Sequence, residues 1–484
     1  MTEVKDLEPK ALFKQFAEIL NIPRCSGSEG AIRDYMVNFA QKKGLAYKTD
    51  DVGNVVIKVP ATKGLEDAPI VVLQGHMDMV CEKHKDFTHD FTKDPIPAVV
   101  DGDIIKTRGT TLGADNGIGL ATGLGIADDP DAKHGPLELL FTIDEERGLT
   151  GAGNLKPDML DGRLLLNLDS EDEGVLFVGC AGGADSVTHF TTELTAPNTD
   201  NVALKLTVGG LKGGHSGLNI IDNRANALKL LARILYNQRD VWTQLFELKG
   251  GDKRNAIPRD ASTTVILHRT KSDGFKKAVT NFVGILKNEF KDADPDINVI
   301  LTPADMPAQA WSTGLSERIV NTIMALPHGV LAMSVDIPGI VQTSSNVASV
   351  EITDSSVDIV CSSRSSVNSE TKYILNRIAT IGTLAGARVE FQGSYPGWKP
   401  NMDAKTLKYT REAFKDMYGK EPEVTVIHAG LETGILGDHF DGMDMVSLGP
   451  TMRNVHTPEE FVEIGSTKRF YELVNRVLQK IASA

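Results

Sequence analysis

The chain has 484 residues, with 51 Lys+Arg against 65 Asp+Glu and a formal net charge of −14. Hydrophobic residues at 41% and charged residues at 24% are globular values that exclude collagen-like, fibrous and disordered chains, and the length suits about three domain-sized units. The acidic balance argues against nucleic-acid partners, and no apolar run approaches the ~18 residues of a membrane span.

The residues Met1 to Asp6 carry no apolar run behind a basic start, so a soluble cytoplasmic protein is expected. Leu7, Ala11, Leu12, Phe16, Ile19 and Leu20 keep near-helical spacing and predict a first helix. Ser26-Gly27-Ser28-Glu29 has capping-box spacing, ahead of a second amphipathic helix through Ile32, Met36 and Phe39 to Gly44. Continuous apolar runs at 69–73, 137–143 and 163–168 read as buried strands, with a buried helix over 117–127. This is an α/β layer with a mostly parallel sheet and flanking helices. The middle then changes character. Strand 202–208, helix 223–237, strands 243–248 and 261–268, helix 274–290 and strand 296–301 form the βαββαβ order of a ferredoxin-like α+β unit. A helix at 315–325, strands at 347–352 and 356–361, a helix at 369–384 and a strand at 387–392 partly repeat it, which predicts a duplicated lid. Helix 406–418, strands 424–427 and 443–448 and helix 458–482 return to the first pattern. The domain reading is therefore a catalytic domain in two segments, 1–186 and 399–484, interrupted by a lid at 187–398. Cys25, Cys81, Cys180 and Cys361 are far apart and make no C-x-x-C pair, so they read as buried thiols rather than a disulfide framework or zinc site.

Five predicted strand ends or loops carry chemistry. Residues two apart on an extended segment face the same way, so His76 and Asp78 can share a site at the carboxyl end of their strand, where α/β sheets place ligands. Asp115 lies in Gly113-Ala114-Asp115-Asn116-Gly117, Glu145 and Glu146 follow the strand ending at Ile143, and Asp169 follows the strand ending at Leu168. His456 precedes Thr457 and Pro458, which are placed to cap and start the last helix. Singly, each has a bland reading as a surface pair, a helix cap or a solvated acidic turn. Together, two His and three carboxylates suit zinc or manganese, with one carboxylate able to bridge two ions. One of the adjacent Glu145 and Glu146 must then stay unligated to act as base on a metal-bound water.

This set, with Gly213-Gly214-His215-Ser216-Gly217, resembles the di-zinc M20 peptidase family along almost the whole chain, nearest its dipeptidase branch. The resemblance implies a di-metal peptidase catalytic domain with an inserted lid and two divalent ions per chain, Zn2+ with Mn2+ or Co2+ as alternatives. It puts His76 and Asp169 on one ion, Glu146 and His456 on the other, and Asp115 between them. It also implies Glu145 as general base, Asp78 orienting His76, a cis peptide after Asp115, and His215 as a donor to the oxyanion. For the substrate carboxylate Arg364 is the choice, because a guanidinium pairs bidentately. Asn255, in Asn255-Ala256-Ile257-Pro258, resembles a lid substrate contact. His428 and Gly430 follow a buried strand and are further candidates for the carboxylate, a structural His being the alternative. His84, His89, His134, His189, His268, His328 and His439 fit no ligand pattern. The activity implied is metal-dependent hydrolysis of unblocked dipeptides, including Xaa-His dipeptides such as carnosine, by a homodimer. The alternatives are a tripeptidase, an aminoacylase or N-acyl amino acid deacylase, and a non-catalytic metal- or peptide-binding homologue.

Overall fold

The continuous apolar runs become the centre of a sheet. In the computed structural model, which describes residues 3–484, Leu137–Thr142, Val71–His76, Leu164–Asn167 and Asp444–Ser447 are parallel neighbours in that order. Every residue of Val71–His76 and Leu137–Thr142 is buried, because both faces of the sheet are covered. That is why these strands show no polar alternation. Ala46–Thr49 and Val55–Val59 extend one side antiparallel, and Val175–Cys180 and Glu423–Ile427 extend the other, for eight strands. Helix Ala114–Asp128, buried along most of its length, packs against Lys10–Ile19, whose Leu12, Phe16 and Ile19 are buried. Among the described residues no helix is long and apolar enough to cross a membrane.

The chain forms two compact units. The first comprises residues to Gly179 with Trp398–Val426 and Leu431–Ala484; the second comprises Cys180–Gly397 with Ile427–Gly430. The first unit ends at Gly179, not near 186, because Gly182–Thr191 is a strand of the second unit's sheet. In that sheet Asn298–Ala304, Asn201–Gly209, Ala261–His268 and Trp242–Gly250 lie side by side, fourth-first-third-second in chain order. This is the ferredoxin-like order. Val341–Ile352, Ser356–Ser365, Gly182–Thr191 and Arg388–Tyr395 then continue it as second-third-first-fourth, the mirror sequence. The duplication is therefore complete in strand order. Gly182–Thr191 is the first strand missing from the sequence pattern, and the whole first copy is inserted after it. One core joins the copies: Leu206, Leu231 and Val265 from one pack in the same cluster as Ile319, Val347, Ile359 and Ile374 from the other.

Three local expectations are corrected. Ser26 does not cap the second helix, which runs Gly30–Lys43; Glu29 Oε1 instead accepts from the backbone N–H groups of Gly27 at 2.7 Å and Asp144 at 3.2 Å. Pro458 does not start the last helix, which runs Ile464–Ala482. The chain before it is held extended because Phe461–Glu463 pairs with Ile104–Lys106. Finally, Cys25 and Cys81 form a disulfide with Cα atoms 5.6 Å apart. The segment beyond His76 runs parallel to Cys25 through a bridge at Met79, which brings together thiols 56 residues apart in sequence. Cys180 and Cys361 are buried.

Candidate metal centre

The strand Val71–His76 delivers His76 to the carboxyl edge of the sheet, where it is 1% exposed. Its Nε2 lies 3.0 Å from Asp115 Oδ1 and 3.3 Å from Asp169 Oδ1. Asp115 stands at the start of the buried helix behind a cis Asp115–Asn116 peptide. Its other oxygen is 3.2 Å from His456 Nε2, which lies 2.9 Å from Glu146 Oε1. Two triads contain Asp115, His76–Asp115–Asp169 and Asp115–Glu146–His456, each with ligand atoms within 4.8 Å of one another, and Glu145 forms a further group with His76 and Glu146. The backbone permits the sharing of Asp115 because Gly75 and Gly119 leave room for the Asn116 side chain; a Cβ at either would run into its Oδ1. Asp78, fully buried, places its backbone carbonyl 3.2 Å and its Oδ1 3.4 Å from His76 Nδ1. Its two carboxylate oxygens accept from the backbone N–H groups of Glu145 at 3.0 Å and Glu146 at 3.3 Å.

The charges call for cations. Burial by itself would lower the His76 pKa, yet Asp169 and Asp115 hold it well above the usual histidine range. Hydrogen bonds with Asp115 and Glu146 push His456 up to about 11. Burial pushes Asp169 up to about 7 against the attraction of His76. Burial also raises Glu145 well above the usual carboxylate range, with Asp169, Glu432 and Glu146 adding to it. Asp169 Oδ1 and Glu146 Oε1 are buried without a well-formed hydrogen bond, although a ring nitrogen lies near each. Such a site takes up protons unless divalent ions neutralise it, and two His with three carboxylates are the donor set that borderline and hard divalent ions use. The residues fit a dinuclear centre.

The remaining candidates lie in the second unit. His215 pairs in a short ladder with Ala256, and Ser216 donates to the backbone carbonyl of Asn255 at 2.8 Å, while Asn255 itself is exposed. Arg364 Nη1 donates to the Tyr395 hydroxyl at 3.2 Å, and its Nε is buried without an acceptor. His428 Nε2 is 2.8 Å from the Ser344 hydroxyl. Gly217 packs on the His428 carbonyl, and Gly430 on the Tyr395 ring, where a Cβ would come within 2.8 Å. Burial and the Arg364 charge lower the pKa of both histidines, His428 to about 4. His215, His428, Gly430 and Arg364 thus form one group with Tyr395 and Ser344, which the sequence did not flag.

Sequence reasoning also missed three side chains around the metal site. Arg24, 2% exposed, donates to the carbonyls of Met77 and Asp78 at 3.1 and 2.8 Å, and to that of Gly113. Glu460 accepts from the backbone N–H groups of Leu112, Gly113 and Ala114 at 2.7, 2.9 and 2.8 Å. Glu432 lies buried beneath the strand ends. Arg24 and Glu460 hold the backbone on either side of the ligands, and partners that are backbone groups leave no motif. Glu432 stood in view beside His428 and Gly430, but nothing local marked it as buried.

Residues 72–480 match the profile of peptidase family M20/M25/M40. The chain is 40% identical over 482 residues to the cytosol non-specific dipeptidase of Escherichia coli (strain K12), covering 99% of each. It is similar to the crystal structure of aminoacylhistidine dipeptidase from Vibrio alginolyticus, with a TM-score of 0.94 and 40% identity over 99% of this chain and 98% of that one. At 16% identity, the aminopeptidase PepT structure from Bacillus cereus shares the fold, with a TM-score of 0.57 over 98% of each chain.

Proposed function

The chain belongs to peptidase family M20/M25/M40, and we propose that it hydrolyses the peptide bond of unblocked dipeptides, Xaa-His dipeptides such as carnosine among them. The observation that carries the mechanism is the pair of ligand triads meeting at Asp115. His76 and Asp169 would hold one divalent ion and Glu146 and His456 a second, with Asp115 placed to serve both. Two such ions would supply Lewis acidity there. Glu145 is the base: its backbone N–H donates to Asp78 Oδ1, and its carboxylate lies within 4.8 Å of ligand atoms of His76 and Glu146, where it can take a proton and return it to the leaving amine. Asp78 keeps the His76 ring in place through Nδ1. In the second unit, we assign Arg364, His428 and Gly430 to the substrate carboxylate, Asn255 to a substrate contact, and His215 to donation toward the developing oxyanion. The buried, acceptor-free Arg364 Nε supports the first of these assignments.

We assign Zn2+ as the native ion from the mixed His and carboxylate donors, with Mn2+ or Co2+ able to substitute. A cytoplasmic location agrees with the name of the Escherichia coli relative. A homodimer is supported by exposed Leu218, Ile221, Val330 and Met333 on two second-unit segments that touch each other. The test is turnover of a panel of free-amine dipeptides, carnosine and Ala-His included, beside N-acyl amino acids. The Zn-loaded protein is expected to cleave the dipeptides, and Glu145→Ala to lose several orders of magnitude while keeping two ions per chain. Turnover of the N-acyl compounds alone would move the activity to the deacylases.

A further inference from the structure

We infer that Glu432 is a positioning residue whose carboxylate ties three ligand-bearing strands into one frame beneath the metal centre; this rests on the ligand set proposed above. Gln74 lies two residues before His76 and shares a face of its strand with it, and Asn167 ends the strand that leads, two residues on, to Asp169. Thr142 is the register partner of His76, and its strand leads directly to Glu145 and Glu146. Gln74 and Asn167 are also register partners, and Asn167 Nδ2 donates to Gln74 Oε1 at 2.6 Å. Gln74 Nε2 in turn donates to Glu432 Oε2 at 2.6 Å, and the Thr142 hydroxyl donates to the same oxygen at 2.8 Å. One carboxylate oxygen, on the first residue of helix Glu432–His439, therefore gathers side chains from Val71–His76, Leu137–Thr142 and, through Gln74, Leu164–Asn167. Those strands lead to His76, to Glu145 and Glu146, and to Asp169.

The arrangement is costly as packing. Glu432 is 1% exposed, and its Oε1 is buried with no donor. A leucine in the same space would avoid the desolvation penalty of a buried carboxyl group. What a leucine lacks is direction: two hydrogen bonds to one oxygen fix the rotamers of Gln74 and Thr142 and the spacing of their strands, one layer below the ligands. Metal ligands need such support, and removing an outer partner typically costs about 10–100-fold in metal affinity or activity.

The experiment compares Glu432→Leu, Glu432→Gln and Thr142→Val in the full chain. It reads the Zn2+ affinity of metal-free protein by competition with a chromophoric chelator, kcat and KM on a dipeptide, and thermal unfolding. Glu432→Leu is expected to lose about 10–100-fold in Zn2+ affinity and to lower kcat, with KM within about twofold. Glu432→Gln keeps an oxygen for both donors and is expected to recover most of the loss. Thr142→Val removes one donor while keeping the shape, and a several-fold weaker Zn2+ affinity is expected; it decides the matter if Glu432→Leu does not fold. Wild-type Zn2+ affinity in folded Glu432→Leu or in Thr142→Val would overturn the inference. So would Glu432→Gln as weak as Glu432→Leu, which would assign the effect to charge. A wild type that binds two ions tightly but cleaves no dipeptide would count against the proposed activity, while the affinities would still decide the frame.

Discussion

Glu145 and Glu146 are the same side chain one residue apart, and position alone divides their work. Glu146 lies 2.9 Å from His456 and groups with it and Asp115, while Glu145 groups only with His76 and Glu146. Asp78 sets both by accepting their backbone N–H groups, so Asp78→Ala is expected to lower Zn2+ affinity and kcat about 10–100-fold, checked by chelator competition and steady-state kinetics. His428 provides a pH test of the second unit. Its folded pKa of about 4 lies below the ordinary 6.5, so the unfolded chain binds the extra proton first as pH falls. The associated stability is complete above pH 6.5 and is lost toward pH 4, about 3 kcal/mol in all. Denaturant midpoints between pH 7 and 4.5 are expected to fall less in His428→Asn than in the wild type. His76 with Asp78, and Glu145 with Glu146, stood out as candidates at this scale because each pair lies together at or just beyond a single strand end. Arg24 did not, since it bonds carbonyls 53 to 89 residues away.

Most elements announced themselves by apolar runs and periodicity, and those that failed to do so are held by distant partners. Phe461–Glu463 looked like the first turn of a helix because Thr457 and Pro458 are good starters, yet pairing with Ile104–Lys106 keeps it extended. Gly182–Thr191 opens on Gly-Gly-Ala-Asp-Ser, which hides the strand-favouring Val187, Thr188, Phe190 and Thr191 that follow, and pairing with Ser356–Ser365 and Arg388–Tyr395 makes it a strand. Glu460, at the head of the extended segment, joins it to the N-terminal end of the helix that carries Asp115. Glu460→Ala leaves three N–H groups without their acceptor at a buried site, and a loss of about 3 kcal/mol is expected in urea unfolding. Glu460→Gln, which keeps one acceptor oxygen, is expected to fall between the two.

In the whole molecule, the metal centre joins segments from both ends of the chain, since His456 meets an Asp115 that lies 341 residues before it. Metal binding is therefore expected to stabilise the first unit against unfolding. Zn2+ at about 100 times its dissociation constant contributes about 2.7 kcal/mol per ion, and a chelator is expected to lower the melting temperature accordingly, read by calorimetry. The sequence by itself determined the α/β and ferredoxin-like fold classes, and it pointed to an inserted segment and to the candidate residues at each strand end. Those are matters of local order, set by backbone periodicity. That Asp115 is shared follows from the residues only through family resemblance; the triads themselves are tertiary facts. Only the tertiary structure decided the Cys25–Cys81 disulfide, the Glu460 clamp and the contact of Gln74 with Glu432, 358 residues apart. Pairs so distant share no periodicity, and their partners are backbone groups or commonplace polar side chains, so nothing short of the packed fold brings them into view.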